Sequence, residues 1–263
     1  MLGDIMGLRR DLYYAKWLCR KKEIAGCQKV YFETNEDLDD IFKNVDFNNK
    51  DVLSVLSSSD QLFKLGFYNT KSIDTFDKNR LTYYYYYMRV WTIKYFGQLY
   101  PTGLITNDYL WIGGLLSSII PESVEEKNAL IFWKTLFDKH VDFSKMFIRN
   151  RGKGLNYSMN ADSCKIPDTL NFSHMNLFKK QKFDKKYDIA VISNILEWSN
   201  GDCRFLERLY ENLDHLLKDD GVVLCSRMIC NTSLYGIILN NALGEKFIYN
   251  DFGSNGYVYQ KKI

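Results

Sequence analysis

The sequence predicts an α/β protein built on a parallel, Rossmann-like sheet, and three segments support this prediction. Residues 51–96 and 183–228 each contain two apolar strands connected through a helix, and residues 246–260 contain a hairpin signal around Gly253–Gly256. Two buried strands joined by an amphipathic helix form a right-handed crossover, which makes the two strands parallel. Residues 1–50 and 100–167 lack this alternation and are predicted to be mostly helical, and a third strand is expected around Phe172–Met175, directly before Asn176.

The first of these segments has the layout of a nucleotide-binding half-sheet. The apolar strand Asp51–Leu56 leads into the polar turn Ser57–Asp60 and a short helix, and a second strand, Lys71–Asp74, ends in an acid. Asp77 is then expected to cap the next helix. Because a terminal acid at this spacing hydrogen-bonds ribose hydroxyls, Asp74 is the predicted ribose ligand, with a capping or turn role as the alternative.

The second segment shows a clear change of sequence period. Tyr187–Ser193 is a short apolar run, typical of a strand that is buried on both faces. The following residues are apolar at helical spacing, and Asp219–Gly221 ends that helix before the strand Val222–Ser226. The apolar helical positions are Phe205, Leu206, Leu209, Tyr210, Leu213, Leu216 and Leu217.

These patterns divide the chain into four parts. Residues 1–50 are a helical N-terminal segment, and residues 51–99 are the first half of the Rossmann-like domain. Residues 100–167 are a helical insertion, and residues 168–263 are the second half with the hairpin. We expect the insertion to form a substrate lid over the carboxyl ends of the strands, where open α/β sheets bind ligands.

The composition argues against several classes of protein. The 263 residues carry 35 Lys and Arg against 32 Asp and Glu, and a net charge of +3 is too small to indicate a nucleic-acid binder. No apolar run approaches the roughly 18 residues of a membrane span. The six cysteines and three histidines lack the spacing of a metal site. We therefore expect a cytoplasmic protein without a bound metal, of undetermined oligomeric state.

The turn after the first strand has a distinctive sequence. Val52–Asp60 is V-L-S-V-L-S-S-S-D, without the GxGxG loop that many nucleotide-binding folds carry. It is similar instead to the pattern V-L-[ST]-I-x-S-x-G-D. Ser57 and Asp60 match that pattern, and Ser59 stands where it has glycine.

Three further stretches match sequence blocks of the family in which this pattern occurs. They are Ile73-Asp74 followed by Asp77 and Asn79 (a V-D-x-N block), Val191–Trp198 (an L-S-N-I-x-[ED]-W block) and the strand end Ser226-Arg227. By these motifs the chain resembles the S-adenosylmethionine-dependent 3-amino-3-carboxypropyl transferases of betaine-lipid synthesis, which have a class I methyltransferase-like fold. The sequence S-N-I-L-E-W is the most specific part of the resemblance.

The resemblance implies both the cofactor and the reaction. In this family the 3-amino-3-carboxypropyl group of S-adenosylmethionine is transferred to an oxygen nucleophile, and methylthioadenosine is released. The implied partner is a small-molecule or lipid-like acceptor with a hydroxyl group. Two alternatives stay open: a methyltransferase with a degenerate glycine loop, and a non-catalytic Rossmann-like binding protein.

The predicted cofactor ligands lie at strand ends. Ser57 and Ser58 are expected to hold the cofactor's carboxylate and Asp60 its ammonium, because N–H groups are free where a strand turns into a helix. Helix capping is the alternative for Asp60. The list is completed by Asp74 for the ribose, Asn176 for the adenine, and Ser193 and Asn194 at the end of the fourth strand.

The catalytic prediction rests on what an alcohol nucleophile requires. Asn194 and Glu197 follow the fourth strand, where substrate-orienting groups usually lie. An alcohol also needs a base, and Tyr84 in the run Tyr83–Tyr87 is the candidate. Five consecutive tyrosines point all round a helix, so packing is the alternative for any one of them.

Four residues are predicted to contact the acceptor. Arg149, Arg151 and Lys153 form a basic, glycine-rich loop suited to a phosphate or another anion, with a solvated loop as the alternative. Trp198 is expected to wall the site, or else to be buried in the core. The aromatic share of 16% further predicts an aromatic-lined pocket, although core packing also accounts for it.

Overall fold

The structure is a computed structural model of the chain, and it describes residues 2–21, 28–34, 36–148, 164–193, 195, 203–226, 247–251 and 256–261. The chain forms two compact units. The helical unit contains Met1–Asn35, Ser57–Asp60 and Asn79–Ser163, and the sheet unit contains Glu36–Leu56, Gln61–Lys78 and Cys164–Ile263.

Helices and strands alternate along much of the chain. The helices are α1 (Leu2–Arg20), α2 (Leu38–Phe42), α3 (Asp60–Leu65), α4 (Leu81–Phe96), α5 (Thr102–Thr106), α6 (Tyr109–Ser118), α7 (Val124–Phe137) and α8 (Cys203–Leu216). The strands are β1 (Val30–Tyr31), β2 (Asp51–Val55), β3 (Ser72–Asp77), β4 (Phe147–Ile148), β5 (Asn171–His174), β6 (Tyr187–Ser193), β7 (Leu217–Ser226), β8 (Phe247–Asp251) and β9 (Gly256–Lys261). Among the described residues, no helix combines the length and apolar character of a membrane span.

The sheet unit is organised around one mostly parallel sheet. Its strand order is β5-β3-β2-β6-β7-β9-β8. The strands from β5 to β7 pair in parallel, whereas β9 is antiparallel to both β7 and β8. This arrangement confirms the predicted Rossmann-like α/β fold and its C-terminal hairpin.

Burial on both faces explains the apolar sequences of the central strands. All residues of β2 are buried, and so are all residues of β6 except Asp188. The apolar stripe of α8 joins the same core, with Leu206, Leu209 and Leu213 at most 2% exposed. Each buried leucine contributes about 1.5–3 kcal/mol. The amphipathic pattern that predicts α8 therefore also holds it in the core.

The helical unit packs much of its aromatic content around α4. Tyr84 stacks on Phe132 of α7, with ring centroids 3.9 Å apart, and the indole N–H of Trp133 donates to the carbonyl oxygen of Tyr84 at 2.9 Å. The hydroxyl of Tyr85 donates to the carbonyl oxygen of Phe32 at 2.6 Å. Residues 84–87 are all buried, so most of the tyrosine run belongs to a packed interior.

Three boundaries differ from the sequence prediction. β7 begins at Leu217, so it includes a residue assigned to the helix and the predicted break Asp219–Gly221, because Leu217 pairs in register with Tyr187 of β6. β3 continues to Asp77 instead of ending at Asp74, because its pairing with β2 extends to the register pair Val55↔Phe76. Asp77 is therefore a strand residue and does not cap α4, whose N-cap is Arg80. α4 also belongs to the helical unit, whereas the sequence grouped it with the first half of the sheet domain.

A charge cluster joins the amino ends of strands in the sheet unit. The carboxylate of Asp51, at the start of β2, accepts hydrogen bonds from Ser72 Oγ at 2.8 Å and Lys71 Nζ at 3.1 Å. Lys218 Nζ donates to Asp51 and to Asp188, both at 2.8 Å. The hydrogen bond from Lys218 is the main reason that the pKa of Asp51 lies well below its usual range.

Asp51→Asn is expected to lower the free energy of unfolding by about 1–3 kcal/mol at neutral pH, because hydrogen bonds to a charged group are lost. The folded-state pKa of Asp51 is depressed, so its stabilising effect is present above about pH 4 and is lost as the pH falls. Urea unfolding at about pH 7 and about pH 3 measures this change. Asp219→Asn, at a side chain that is 79% exposed, is the control. An equal deficit at both pH values would contradict the charge interaction.

Candidate active site

The carboxyl ends of the parallel strands meet at one edge of the sheet unit. The N–H of Leu56, just after β2, donates to the carbonyl oxygen of Phe76 at 2.8 Å, and Ser193 at the end of β6 pairs with Cys225 of β7. After β2, the chain crosses over to β3, the neighbour of β2 on one side. A later crossover brings the chain to β6, the neighbour of β2 on the other side. The crossovers therefore diverge between β2 and β6. Ligands of open α/β sheets bind at such a divergence. This strand-end edge comprises Leu56, Asp77, Ser193 and Ser226.

A buried carboxylate lies at the strand-end edge. Glu36, which is 8% exposed, accepts hydrogen bonds on Oε1 from the hydroxyls of Ser193 and Ser226, the latter at 2.5 Å. Its Oε2 accepts from Gln61 Nε2 at 2.9 Å. Ser193 holds a φ of 55°, a left-handed conformation that is uncommon outside glycine and clusters at functional sites. One carboxylate thus joins the ends of β6 and β7 to α3.

Sequence reasoning missed Glu36. Its two serine partners are 157 and 190 residues away along the chain, so no local pattern connects them. The available signal was an acid just before α2, which is also what an ordinary helix start contains.

The acid at the end of β3 is Asp77. Its side chain is largely buried, and its carbonyl oxygen accepts a hydrogen bond from the N–H of Met175 at 3.0 Å. Asp77 lies one strand away from the divergence between β2 and β6. The sequence Phe76–Asn79 is itself an apolar-Asp-x-Asn block, so the V-D-x-N motif also fits three residues later than the sequence analysis placed it.

Asp74 lies inside β3 and is paired with other residues. Its register partner in β2 is Leu53, and its carboxylate accepts a hydrogen bond from Lys185 Nζ at 2.9 Å. Burial first, and then the hydrogen bond with Asp74, raise the pKa of Tyr187. The structure thus corrects the expectation that Asp74 ends its strand, although its ribose role itself stays a prediction.

The Asp60 carboxylate is saturated within the helical unit. It is fully buried, and its Oδ2 accepts from the N–H of Thr34 and the hydroxyl of Ser58, both at 2.7 Å. Its Oδ1 accepts from Arg89 Nη1 at 2.7 Å and the hydroxyl of Tyr100 at 3.1 Å. Direct contact with a ligand ammonium would require one of these donors to leave. The geometry favours a role for Asp60 and Ser58 in positioning the turn.

The turn that lacks glycine keeps a glycine-like backbone. Ser57 has a φ of 45° and Ser59 a φ of 74°, both in the left-handed region that favours glycine. Ser59 is the residue that stands where the resembled pattern has glycine. At this position Ser59 thus adopts a conformation that glycine enters freely and that costs a residue with a side chain about 1–2 kcal/mol.

Asn176 lies directly after β5, as predicted. Its Oδ1 accepts from the N–H of Phe178 at 3.0 Å, and its carbonyl oxygen accepts from the N–H of Lys179 at 2.9 Å. A local turn of this kind is common for asparagine. The assignment of Asn176 to the adenine stays a prediction.

The predicted base, Tyr84, is held in the helical unit. Its hydroxyl donates to Asp11 Oδ2 at 3.0 Å, and the single N–H of Arg80 Nε is shared between the two oxygens of the same carboxylate. Burial and then the negative charge of Asp11 raise the pKa of Tyr84. A raised pKa holds the phenol proton more firmly, so the surroundings of Tyr84 favour a packing role.

If the chain has the transferase activity that the sequence predicts, Tyr84→Phe is expected to retain it. The variant should also lower the free energy of unfolding by about 1–2 kcal/mol, because Asp11 loses a buried donor. Thermal unfolding and turnover, measured on the same preparation, separate the two effects. Tyr13→Phe, at a side chain that is 75% exposed, is the matched control. A large fall in turnover without a change in stability would show instead that Tyr84 acts as the base.

Six of the predicted site residues lie outside the described part of the chain. They are Arg149, Arg151, Lys153, Asn194, Glu197 and Trp198. Among the predicted site residues that the structure describes, Ser58 donates a hydrogen bond to Asp60, and Ser193 donates one to Glu36.

Comparisons with known proteins return structures but no sequence family. No family model and no curated protein matches the chain. Similar solved structures include a TehB-like SAM-dependent methyltransferase from Corynebacterium glutamicum (10% identity, 82% of each chain, TM-score 0.39). Others are the N-methyltransferase NodS from Bradyrhizobium japonicum with S-adenosyl-L-homocysteine (8% identity, 85% of this chain and 83% of that chain, TM-score 0.39) and a methyltransferase from Pyrococcus furiosus (11% identity, 97% and 98%, TM-score 0.44). Likenesses this distant carry no argument about activity.

The fold class follows from the sheet itself. Five parallel strands with divergent crossovers, extended by an antiparallel pair of strands, form a Rossmann-like sheet. Fold alone does not determine activity. The activity depends on the side chains at the strand-end edge.

Proposed function

We propose that the chain is an S-adenosylmethionine-dependent transferase that moves the 3-amino-3-carboxypropyl group to a hydroxyl group of its acceptor. The observation that carries the proposal is the buried acid Asp77 at the end of β3, beside the divergence of the crossovers. A nucleoside bound at such a place needs an acid for its ribose hydroxyls. The motif Val191–Trp198 supports aminocarboxypropyl transfer, because it is the most specific part of the resemblance.

The residues of the strand-end edge fit the polar parts of this cofactor. Asp77 would accept the ribose hydroxyls, and Asn176 is the proposed contact of the adenine. When bound, S-adenosylmethionine supplies a carbon that is activated by the adjacent sulfonium. The chain has to orient the acceptor and take up its proton, and Asn194 and Glu197 are the groups proposed for this.

The acceptor is proposed to be a small molecule or a lipid-like alcohol. Arg149, Arg151 and Lys153 are its proposed anion contacts, and Trp198 its proposed wall. Arginine and lysine bind phosphate through charge-assisted hydrogen bonds, so an acceptor that carries both a hydroxyl and an anionic group is the first to test.

The product released from S-adenosylmethionine tests the proposal. The purified protein is incubated with the cofactor and a set of hydroxyl acceptors, and the nucleoside product is identified by liquid chromatography and mass spectrometry. Methylthioadenosine above the amount formed without protein is expected. Because the cofactor also decomposes to this nucleoside, the aminocarboxypropylated acceptor must be detected as well.

Two other outcomes decide between the alternatives. Formation of S-adenosylhomocysteine with a methylated acceptor would show methyl transfer through a degenerate glycine loop. Absence of calorimetric binding of S-adenosylmethionine and S-adenosylhomocysteine would reject both transferase activities and favour a non-catalytic binding protein.

A further inference from the structure

The Glu36 cluster is formed by Glu36, Gln61, Ser193 and Ser226 in the sheet unit, and Ser193 is its one member among the cofactor ligands that the sequence predicted. All four side chains are more than nine-tenths buried. Ser193 and Ser226 lie at the carboxyl ends of β6 and β7, Gln61 lies at the start of α3, and Glu36 comes just before α2. Buried polar side chains at this edge of an α/β sheet are candidates for ligand contacts.

The donors of this cluster are already used. A serine hydroxyl has one hydrogen to donate, and both Ser193 and Ser226 donate theirs to Glu36 Oε1. Gln61 donates one amide hydrogen to Glu36 Oε2. Apart from the second amide hydrogen of Gln61, these contacts leave the cluster with acceptors to offer.

An unsatisfied acceptor points in the same direction. Gln61 is 1% exposed, and its Oε1 has no hydrogen-bond partner among the residues that the structure describes. A buried amide oxygen without a partner is destabilising, and a ligand that donates a hydrogen bond to it removes that penalty. A second anion beside the Glu36 carboxylate would instead be repelled.

We infer that the Glu36 cluster binds the primary ammonium group of the cofactor's amino-acid portion. An ammonium brings positive charge and three N–H donors to a carboxylate, an amide oxygen and two serine oxygens. Gln61 directly follows the turn Ser57–Asp60, to which the sequence assigned the amino-acid portion. Asp60, the acid first assigned to the ammonium, has both oxygens occupied by four donors. The inference rests on the proposed function, because it presumes that S-adenosylmethionine is the ligand.

Three ligands separate this inference from the proposed function. They are S-adenosylhomocysteine, its analogue with hydrogen in place of the α-amino group, and methylthioadenosine, each titrated calorimetrically. Wild-type protein should bind S-adenosylhomocysteine at least about tenfold more tightly than the deaminated analogue. Glu36→Gln should remove most of that preference while leaving the affinity for methylthioadenosine unchanged.

Two further variants guard against effects on folding. Gln61→Met removes the unsatisfied oxygen and should reduce the same preference, and thermal unfolding reports whether each variant is folded. Asp39→Asn removes an exposed acid that pairs with Lys64 outside the cluster, and it should change no affinity. If Glu36→Gln and Gln61→Met both retain the wild-type preference, or weaken all three ligands equally, the inference is wrong. If wild-type protein binds none of the three ligands, the proposed function fails and this inference fails with it.

Discussion

Arg89→Met is expected to lower the free energy of unfolding by about 3–5 kcal/mol, because it leaves a buried carboxylate without its cation. Arg89 and Asp60 are both fully buried, and their ion pair measures 2.7 Å. Arg89 also donates to the carbonyl oxygens of Ser58 at 2.5 Å and Leu99 at 3.2 Å, and it lies 4.4 Å from the ring centroid of Tyr100. Burial is the largest single influence and lowers the pKa of Arg89, but the charge and hydrogen bond of Asp60 together with the neighbouring Tyr85 and Tyr100 raise that pKa overall.

Urea unfolding of three variants tests this expectation. Lys94→Met on the same helix breaks an exposed ion pair with Glu122, and such pairs contribute at most about 1 kcal/mol. The double variant Asp60→Asn/Arg89→Met removes both charges and should recover part of the loss. A loss below about 1 kcal/mol for Arg89→Met alone would contradict the importance of the buried pair.

Asp77→Asn is expected to weaken the binding of S-adenosylhomocysteine about 10–100-fold, the usual effect of losing hydrogen bonds to a charged acceptor. Asp74→Asn is the matched control, since it lies on the same strand and is paired with Lys185. Its expected effect on affinity is less than about threefold. Calorimetric titration of both variants measures the difference, and thermal unfolding confirms that each is folded.

The same pair of variants decides between two assignments of the ribose acid. If Asp74→Asn weakens binding and Asp77→Asn does not, the assignment made from the sequence is right and the one made from the strand end is wrong. If neither variant changes the affinity, the strand-end edge does not bind the ribose, and the proposal loses the observation that carries it.

The ambiguity between Asp74 and Asp77 shows where sequence reasoning reached its limit. In the sequence Ser72–Asp77, S-I-D-T-F-D, each acid follows an apolar residue, so either can end a strand. Alternation indicates which residues share a face of a sheet, but the length of a strand also depends on its neighbour. Here β3 reaches Asp77 because β2 pairs with it as far as Val55.

The tyrosine run shows a second limit. Its sequence predicted a helix, and α4 is that helix. Composition alone left two interpretations of the aromatic excess, a lined pocket or a packed interior. The neighbours of Tyr84 come from other helices, Phe132 on α7 and Asp11 on α1, and no sequence pattern specifies which aromatic ring meets which partner.

By itself, the sequence determined the class of fold, because buried strands and amphipathic helices place their apolar residues in different, regular patterns that can be recognised locally. Only the tertiary structure decided how the charged residues are used. Arg89 neutralises Asp60 from 29 residues away, and Glu36 meets Ser193 from a distance of 157 residues. The local sequence around Glu36 or Asp60 does not reveal which donors its carboxylate meets. What distinguishes them is burial and the donors that packing brings from distant parts of the chain.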